Sequence, residues 1–570
     1  MAYELPIPKE ATVKRIADAL ENWVASQGVV TSLDGTAATY KKVMRQWFIA
    51  NGAEDATSAE LTALCDEWYS LTRDTWSGYT EFYQPDISAT SYGTKGGDNA
   101  DLTCEASTDT VEGQDDYAGL PLFACADVNF EIDADTLEPV ITAIDGITTG
   151  FKRTDETVYV GVMQMSPYHF WSEFDETYIH GLSATSDVAA QNVEPVPEAV
   201  RVDGTFRQWV VHAKYMSYTT EEGLMSSCSG VTPTAWLSHN TLHTLSAKNG
   251  SQYSGTSVCD IAWMMLMLYV KYASLTADGI IQGCCNFNYQ YYAKQAETGV
   301  KRILISESEA ANLEVGCNVL VGNYSSTTDR SSSYMYSISG NAGVKVTAIE
   351  SVEVDGTTYG AVYVDTDDTF DTGAYGSATE GTTYISTWHW DTGTTDAVLG
   401  NDGSMTSNTS GKYPGKLQGI EFMNGAYEIV ADVILQMSYD DDGYCYYEPY
   451  IVRTSANQST SITTNYEETG LQCYDEVTTA SWQYIKKFAF GFGFFFPDSV
   501  GGSSSTYTRD GFYQAVPASQ TREWLARGGL HNGSGYAGLS ALTGNHALSN
   551  STWYCAGRLS AAGNRGEWVA

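Results

Sequence analysis

The C-terminal stretch decides how this chain is to be read: Asp510-Gly-Phe-Tyr513, Arg522-Glu-Trp-Leu-Ala-Arg-Gly-Gly529, Tyr536-Ala-Gly-Leu539 and Cys555-Ala-Gly-Arg-Leu559, with Gly419-Ile-Glu-Phe-Met-Asn-Gly425 upstream. Glycine reaches positive φ and permits close backbone approach, so Gly528, Gly529 and Gly538 mark a chain that runs over itself in irregular paths. Arg527 and Arg558 suit buried bidentate pairing with Glu421, Glu428 or Asp432, which would tie those paths to a core. Between these frame residues lie others of a different kind. Trp524, Leu530, His531, Asn532, Ser534 and Tyr536 come first, then Asn545, His546, Asn550, Ser551, Trp553 and Tyr554. Tyr and Trp offer large rigid contact area at low entropic cost, while Ser and Asn adapt their hydrogen bonding, as in an antibody's binding surface. The expectation is a scaffold of Arg527, Gly528, Gly529, Gly538 and Arg558 that displays the remaining residues to a ligand.

Together these segments resemble the C-type-lectin-like fold shared by formylglycine-generating enzymes and by the variable proteins of diversity-generating retroelements. That family pattern runs G-[IL]-x-x-M-x-G-N-x-x-E, then R-G-G, then G-[FA]-R. The resemblance covers roughly Trp388 to Ala570 and departs from the pattern at Gly425-Ala-Tyr-Glu428, where G-N-x-x-E is the rule. The enzymes carry a pair of reactive cysteines near the C-terminus, whereas Cys555 stands alone here, so no catalytic residues are expected. The resemblance implies a phage virion receptor-binding protein, a tail or head fibre, that displays a variable surface for host attachment. It implies a host surface protein or glycan as ligand, other virion proteins as partners through the N-terminal part, and a homo-oligomer, a trimer. The alternatives are a structural decoration protein of the virion without receptor binding and an enzyme of the formylglycine-generating type.

Composition bounds the rest. A chain of 570 residues exceeds the size at which one core stops growing, and 43% hydrophobic against 18% charged residues argues for folded, multidomain structure. Seventy acidic against thirty basic residues give a net charge of -40, a field that repels phosphate backbones and disfavours nucleic acid. Met1 to Glu10 carry charges and prolines in place of a basic segment followed by an apolar run, so synthesis in the host cytoplasm without a secretory signal is expected. The strongest apolar run, Ile261 to Val270, is too short to cross a bilayer and reads as a buried helix, so no membrane insertion is expected. Eleven cysteines with no CxxC pair fit buried thiols of a reducing compartment.

The fold class expected is α+β and multidomain: N-terminal helices, a β-rich middle with a small barrel-like insertion, and a C-terminal lectin-like fold. Residues 1–80 read as a helical attachment module. Stripes at Val13 to Val24 and Tyr40 to Phe48 recur at helical spacing, and Thr57 with Glu60 makes a capping box ahead of a third. Residues 81–119 read as an irregular connector, 120–300 as an α+β central domain, 301–385 as a β-rich insertion, and 386–570 as the ligand-display domain.

Other constellations carry less. Asp440-Asp-Asp-Gly443 and Asp365-Thr-Asp-Asp368 offer carboxylates to Ca2+, yet neither completes an EF-hand loop, so no cofactor or metal is expected beyond that calcium option. His239 and His243 would face one another on a helix as a metal pair without a third ligand. No G-x-S-x-G elbow supports a hydrolase built on Ser238, and Asp391-Thr-Gly393 lacks the second carboxylate of an aspartic protease.

Overall fold

The computed structural model describes residues 37–85, 89–324, 333–375, 381–399, 411–442, 444–475, 481–514, 520–526 and 537–567. Strands dominate it and helices are few. The helix expected over Val13 to Val24 lies outside the described residues. Helix α1 (Ala37–Ala50) and helix α2 (Ser58–Thr72) follow. The capping box that starts α2 is formed: the Glu60 N–H donates to Thr57 Oγ1, and the Thr57 N–H donates to Glu60 Oε2 at 2.9 Å. Tyr40, Trp47, Phe48 and Trp68 pack together between the two helices, with Trp68 Nε1 donating to Tyr40 Oη at 3.0 Å.

Next in the chain come β1 (Ser77–Tyr83), β2 (Thr94–Gly97), β3 (Ala126–Ile132), β4 (Pro139–Ile144), β5 (Tyr159–Met165), β6 (Tyr168–Glu173), β7 (Thr177–Ser183), β8 (Asn192–Pro195) and β9 (Trp209–Ala213). They build two antiparallel sheets, ordered β8-β6-β7-β1-β2 and β9-β5-β3-β4. The sequence then forms α3 (His239–Lys248) and α4 (Val258–Tyr272). Helix α4 begins at a Ser257/Asp260 capping box and is buried from Val258 to Lys271, so it needs cover on every side. Thr80 of β1 donates its hydroxyl to the Tyr269 carbonyl at 2.7 Å on one side, and His212 of β9 stacks on Trp263 at 4.9 Å on another.

Residues 81–119 differ from the expected connector. They supply β2 and a short Cys104–Glu105 with Gln114–Asp115 pair, and their side chains close the end of α4. Lys95 Nζ donates to the Lys271 carbonyl at 2.6 Å and Asn99 Nδ2 to the Val270 carbonyl at 2.9 Å. The last carbonyls of a helix have no partner within it, and a buried helix end must find donors elsewhere.

The following strands are β10 (Gln290–Tyr292), β11 (Arg302–Ile305), β12 (Asn318–Tyr324), β13 (Val344–Val354), β14 (Thr357–Val364) and β15 (Thr382–Thr387). They form a six-stranded sheet in the order β10-β15-β12-β13-β14-β11. It has its own core, built from Ile303, Val319, Val321, Val362 and Ile385 among others. Asp355 and Gly356, both at positive φ, make the tight turn between β13 and β14.

The C-terminal part holds β16 (Tyr427–Tyr439), β17 (Cys445–Ile451), β18 (Ser481–Gly491), β19 (Phe494–Val500), β20 (Gly511–Gln514), β21 (Gln520–Ala526), β22 (Leu542–Thr543) and β23 (Cys555–Ala556). Their sheet runs β17-β16-β21-β22-β20-β18-β19, with β23 laid parallel against β16. A continuous apolar core extends from Tyr40 to Ala562, so the stretches 120–300 and 386–570 are not separately cored. Leu559–Ser560 even pairs in register with Ser254–Gly255. The reason lies in α4, which is buried all round and is covered by elements from both stretches. Among the described residues, no helix is long and apolar enough to cross a membrane.

Candidate functional site

The strand register at the C-terminal end places a row of side chains on one face. Trp482 of β18 pairs with Tyr513 of β20, which pairs with Thr543 of β22. Alternation sends their neighbours Phe512 and Leu542 into the core and leaves Trp482, Tyr513 and Thr543 on the opposite face. Asn545 follows β22, and Tyr427 at the start of β16 meets Tyr554 just ahead of β23, where the Tyr427 N–H donates to the Tyr554 carbonyl at 2.7 Å. These six residues line a cavity of about 250 Å³. Its walls are two aromatic pairs, Trp482 with Tyr513 at 5.2 Å and Tyr427 with Tyr554 at 5.3 Å between ring centres.

Three buried polar atoms of this lining, Tyr427 Oη, Thr543 Oγ1 and Asn545 Oδ1, have no hydrogen-bond partner among the described residues. A buried hydroxyl or amide without a partner costs on the order of 1–3 kcal/mol. Tyr427 is only 3% exposed, so its orphaned hydroxyl is built into the fold. Burial holds the Tyr554 hydroxyl up near 12 and the Tyr427 hydroxyl well above its usual range, so both stay protonated as donors at neutral pH.

Behind Tyr554 lies a second group. The Tyr554 hydroxyl is 3.0 Å from His546 Nε2, and His546 Nδ1 faces Glu523 Oε1 at 3.1 Å and Cys555 Sγ at 4.0 Å. Glu523 Oε2 accepts from the backbone N–H of His239 at 2.8 Å, and the Thr552 hydroxyl sits 3.1 Å from Cys555 Sγ. Burial raises both the Glu523 carboxyl and the Cys555 thiol above their ordinary ranges.

Of the residues singled out in the sequence, Asn545 and Tyr554 line the pocket and His546 stands behind it. Asn550 and Ser551 are exposed on the loop leading to it, and Trp553 is half-buried with its ring 5.9 Å from that of Trp388. Trp524 faces the other way: it is buried against Phe494 and Phe496, so its side chain is core and does not reach the pocket. Arg527, Gly528, Gly529, Leu530, His531, Asn532, Ser534 and Tyr536 lie outside the described residues. Gly538 packs so tightly on the Asp510 carboxylate that a Cβ there would collide with it. Arg558 is 1% exposed and grips Glu428 through two bonds of 2.8 Å, while also donating to the carbonyls of Ala213 and Glu421. Tyr427, Trp482, Tyr513 and Thr543 were not singled out. Tyr513 falls in the quoted Asp510 to Tyr513 segment, but which strands lie beside it is not written locally.

The remaining candidates are internally satisfied or carry less. Asp440 Oδ1 accepts from the N–H groups of Asp442 and Tyr444 and so serves its own turn, and Lys301 Nζ reaches the carbonyls of Thr366 and Asp367. His239 and His243 do share α3, with His239 buried beneath it. A larger cavity of about 340 Å³ beside α1 is lined by charged groups, but Lys214 there is bound to Asp127 at 2.7 Å and Asp396 at 3.2 Å, and Lys416 to the Thr395 carbonyl. No family model matches this chain, and no match to its sequence was found among curated proteins.

Proposed function

We propose that the chain is a recognition protein of the virion type, a receptor-binding protein whose C-terminal, lectin-like part binds a host-surface ligand in the pocket of Tyr427, Trp482, Tyr513, Thr543, Asn545 and Tyr554. The observation that carries this reading is the pairing of aromatic walls with unpartnered buried polar atoms. A sugar ring presents apolar C–H faces and a rim of hydroxyls, and such a ligand stacks on aromatic rings while exchanging hydrogen bonds with a phenol, a threonine hydroxyl and an amide. The small volume favours a single ring of a longer glycan over a whole drug-sized molecule.

Binding without turnover fits the same site. Among the described residues the lining holds neither a carboxylate nor an imidazole, and the phenols of Tyr427 and Tyr554 stay protonated as hydrogen-bond donors. The exposed Asn550 and Ser551 on the neighbouring loop extend the polar rim. Attachment to host cells, trimeric assembly and an N-terminal link to other virion proteins complete the proposal on the strength of the sequence resemblance.

The test is a glycan-array screen of the full chain followed by titration of the best ligand. Trp482→Ala and Asn545→Ala should each weaken binding by about 10-fold or more while near-ultraviolet circular dichroism stays unchanged. Undiminished binding in both variants would remove the pocket from the reading, and adsorption to host cells that survives both would leave a decoration role in its place.

A further inference from the structure

Two groups from separate elements converge on one nitrogen of a third. Glu523 comes from β21, His546 from the loop after β22, and Cys555 from β23; all three are buried, and their ligand atoms lie within 4.8 Å of one another. A nucleophilic relay needs the thiol on one imidazole nitrogen and the carboxylate on the other. Here Cys555 Sγ and Glu523 Oε1 both face Nδ1, at 4.0 and 3.1 Å, while Nε2 is taken by the Tyr554 hydroxyl at 3.0 Å. The arrangement therefore cannot work as a Cys-His-Glu relay, and it has the form of a chelate.

We propose that Glu523, His546 and Cys555 form a zinc site. Zn2+ takes thiolate sulfur at about 2.3 Å and imidazole nitrogen or carboxylate oxygen at about 2.0–2.2 Å in a tetrahedron, which sets ligand atoms roughly 3.3–3.6 Å apart. The separations of 3.1 and 4.0 Å from His546 Nδ1 bracket that range, and all three ligand atoms lie within 4.8 Å of one another, so the site closes by drawing them together around the ion. The mixed sulfur, nitrogen and oxygen set suits zinc better than calcium or magnesium, which want oxygen alone.

The outer contacts are those a metal site requires. The Tyr554 hydroxyl lies 3.0 Å from His546 Nε2, and in the metal-bound tautomer Nε2–H donates to it while Nδ1 gives its lone pair to the ion. The His239 N–H holds Glu523 Oε2 at 2.8 Å and leaves Oε1 aimed inward, and the Thr552 hydroxyl is placed to donate to a Cys555 thiolate. Binding releases the Cys555 thiol proton to solvent and involves no redox change. Three protein ligands leave one tetrahedral position for water. The ion would clip β21 to β23 directly behind Tyr554, and so stiffen one wall of the pocket.

The full chain, stripped with a chelator and dialysed against Zn2+, should retain about one equivalent by elemental analysis. Co2+ in its place should give a near-ultraviolet thiolate charge-transfer band and strong visible bands of tetrahedral geometry. Cys555→Ser should abolish the charge-transfer band, His546→Ala should cut affinity about 100-fold or more, and Tyr554→Phe should cost about 10–100-fold through loss of the outer contact. Should either ligand variant fail to fold, the Co2+ spectrum of the unaltered chain decides. No thiolate band there, or unchanged affinity in folded Cys555→Ser and His546→Ala variants, overturns the site. The zinc site is independent of the glycan reading: a chain that takes up zinc and binds no sugar refutes only the latter.

Discussion

Arg558 shows how much one residue carries. Its guanidinium is enclosed with Glu428 and reaches the carbonyls of Ala213 and Glu421, so a single side chain joins β9, the segment before β16 and the C-terminal turn. Taking one partner away leaves a buried charge without compensation. Arg558→Met should lower stability by about 3–5 kcal/mol in urea titration, and a loss under 1 kcal/mol would show that water reaches Glu428. A bidentate arginine–carboxylate pair is a natural reading of an isolated arginine among carboxylates, because residue type alone sets that chemistry. The reversal of Trp524 is the opposite case. An aromatic residue in a polar, glycine-rich stretch looks like a contact residue, yet strand alternation in β21 turned it inward onto Phe494 and Phe496.

Among elements, α4 is the organiser, and its N-terminal turn carries a titrating pair. His212 Nδ1 lies 2.8 Å from Asp260 Oδ1 and its Nε2 is 3.4 Å from Glu198 Oε1. Burial alone would lower the His212 pKa, but the two carboxylates override it and raise it from 6.5 to about 9. A pKa higher in the folded than in the unfolded chain means that the contribution is complete below about pH 6.5 and is lost as pH rises through about 9. It amounts to roughly 3 kcal/mol. The urea midpoint should thus fall between pH 6 and pH 9.5, and His212→Gln should flatten that fall; equal slopes in the two proteins would contradict the assignment. The Thr57 and Glu60 capping box of α2 was legible because it acts within three residues of itself. The role of 81–119 was not, since its Lys95 and Asn99 serve a helix end more than 170 residues away.

The β-sheet of residues 290–387 has its own core, while most of the other buried apolar residues that are described share one. A fragment of residues 386–570 would leave Leu559–Ser560 without its strand partner and Arg565 without the Ser257 hydroxyl that also binds Asp432. Such a fragment should be rapidly degraded in limited proteolysis under conditions that spare the full chain, and a stable, structured fragment would show that α4 is dispensable to it. Legible from residue order alone were local or compositional features: acidic charge, β-rich character, a helix cap and the glycine frame with its buried Arg558. Tertiary structure alone decided which of those residues meet. The pocket needs β16, β21, β22, β20 and β18 in that order, and the Glu523, His546 and Cys555 cluster needs β21 and β23 both paired to β16. Such pairings are set by register and by the burial of a helix far off in the chain, which no local pattern records.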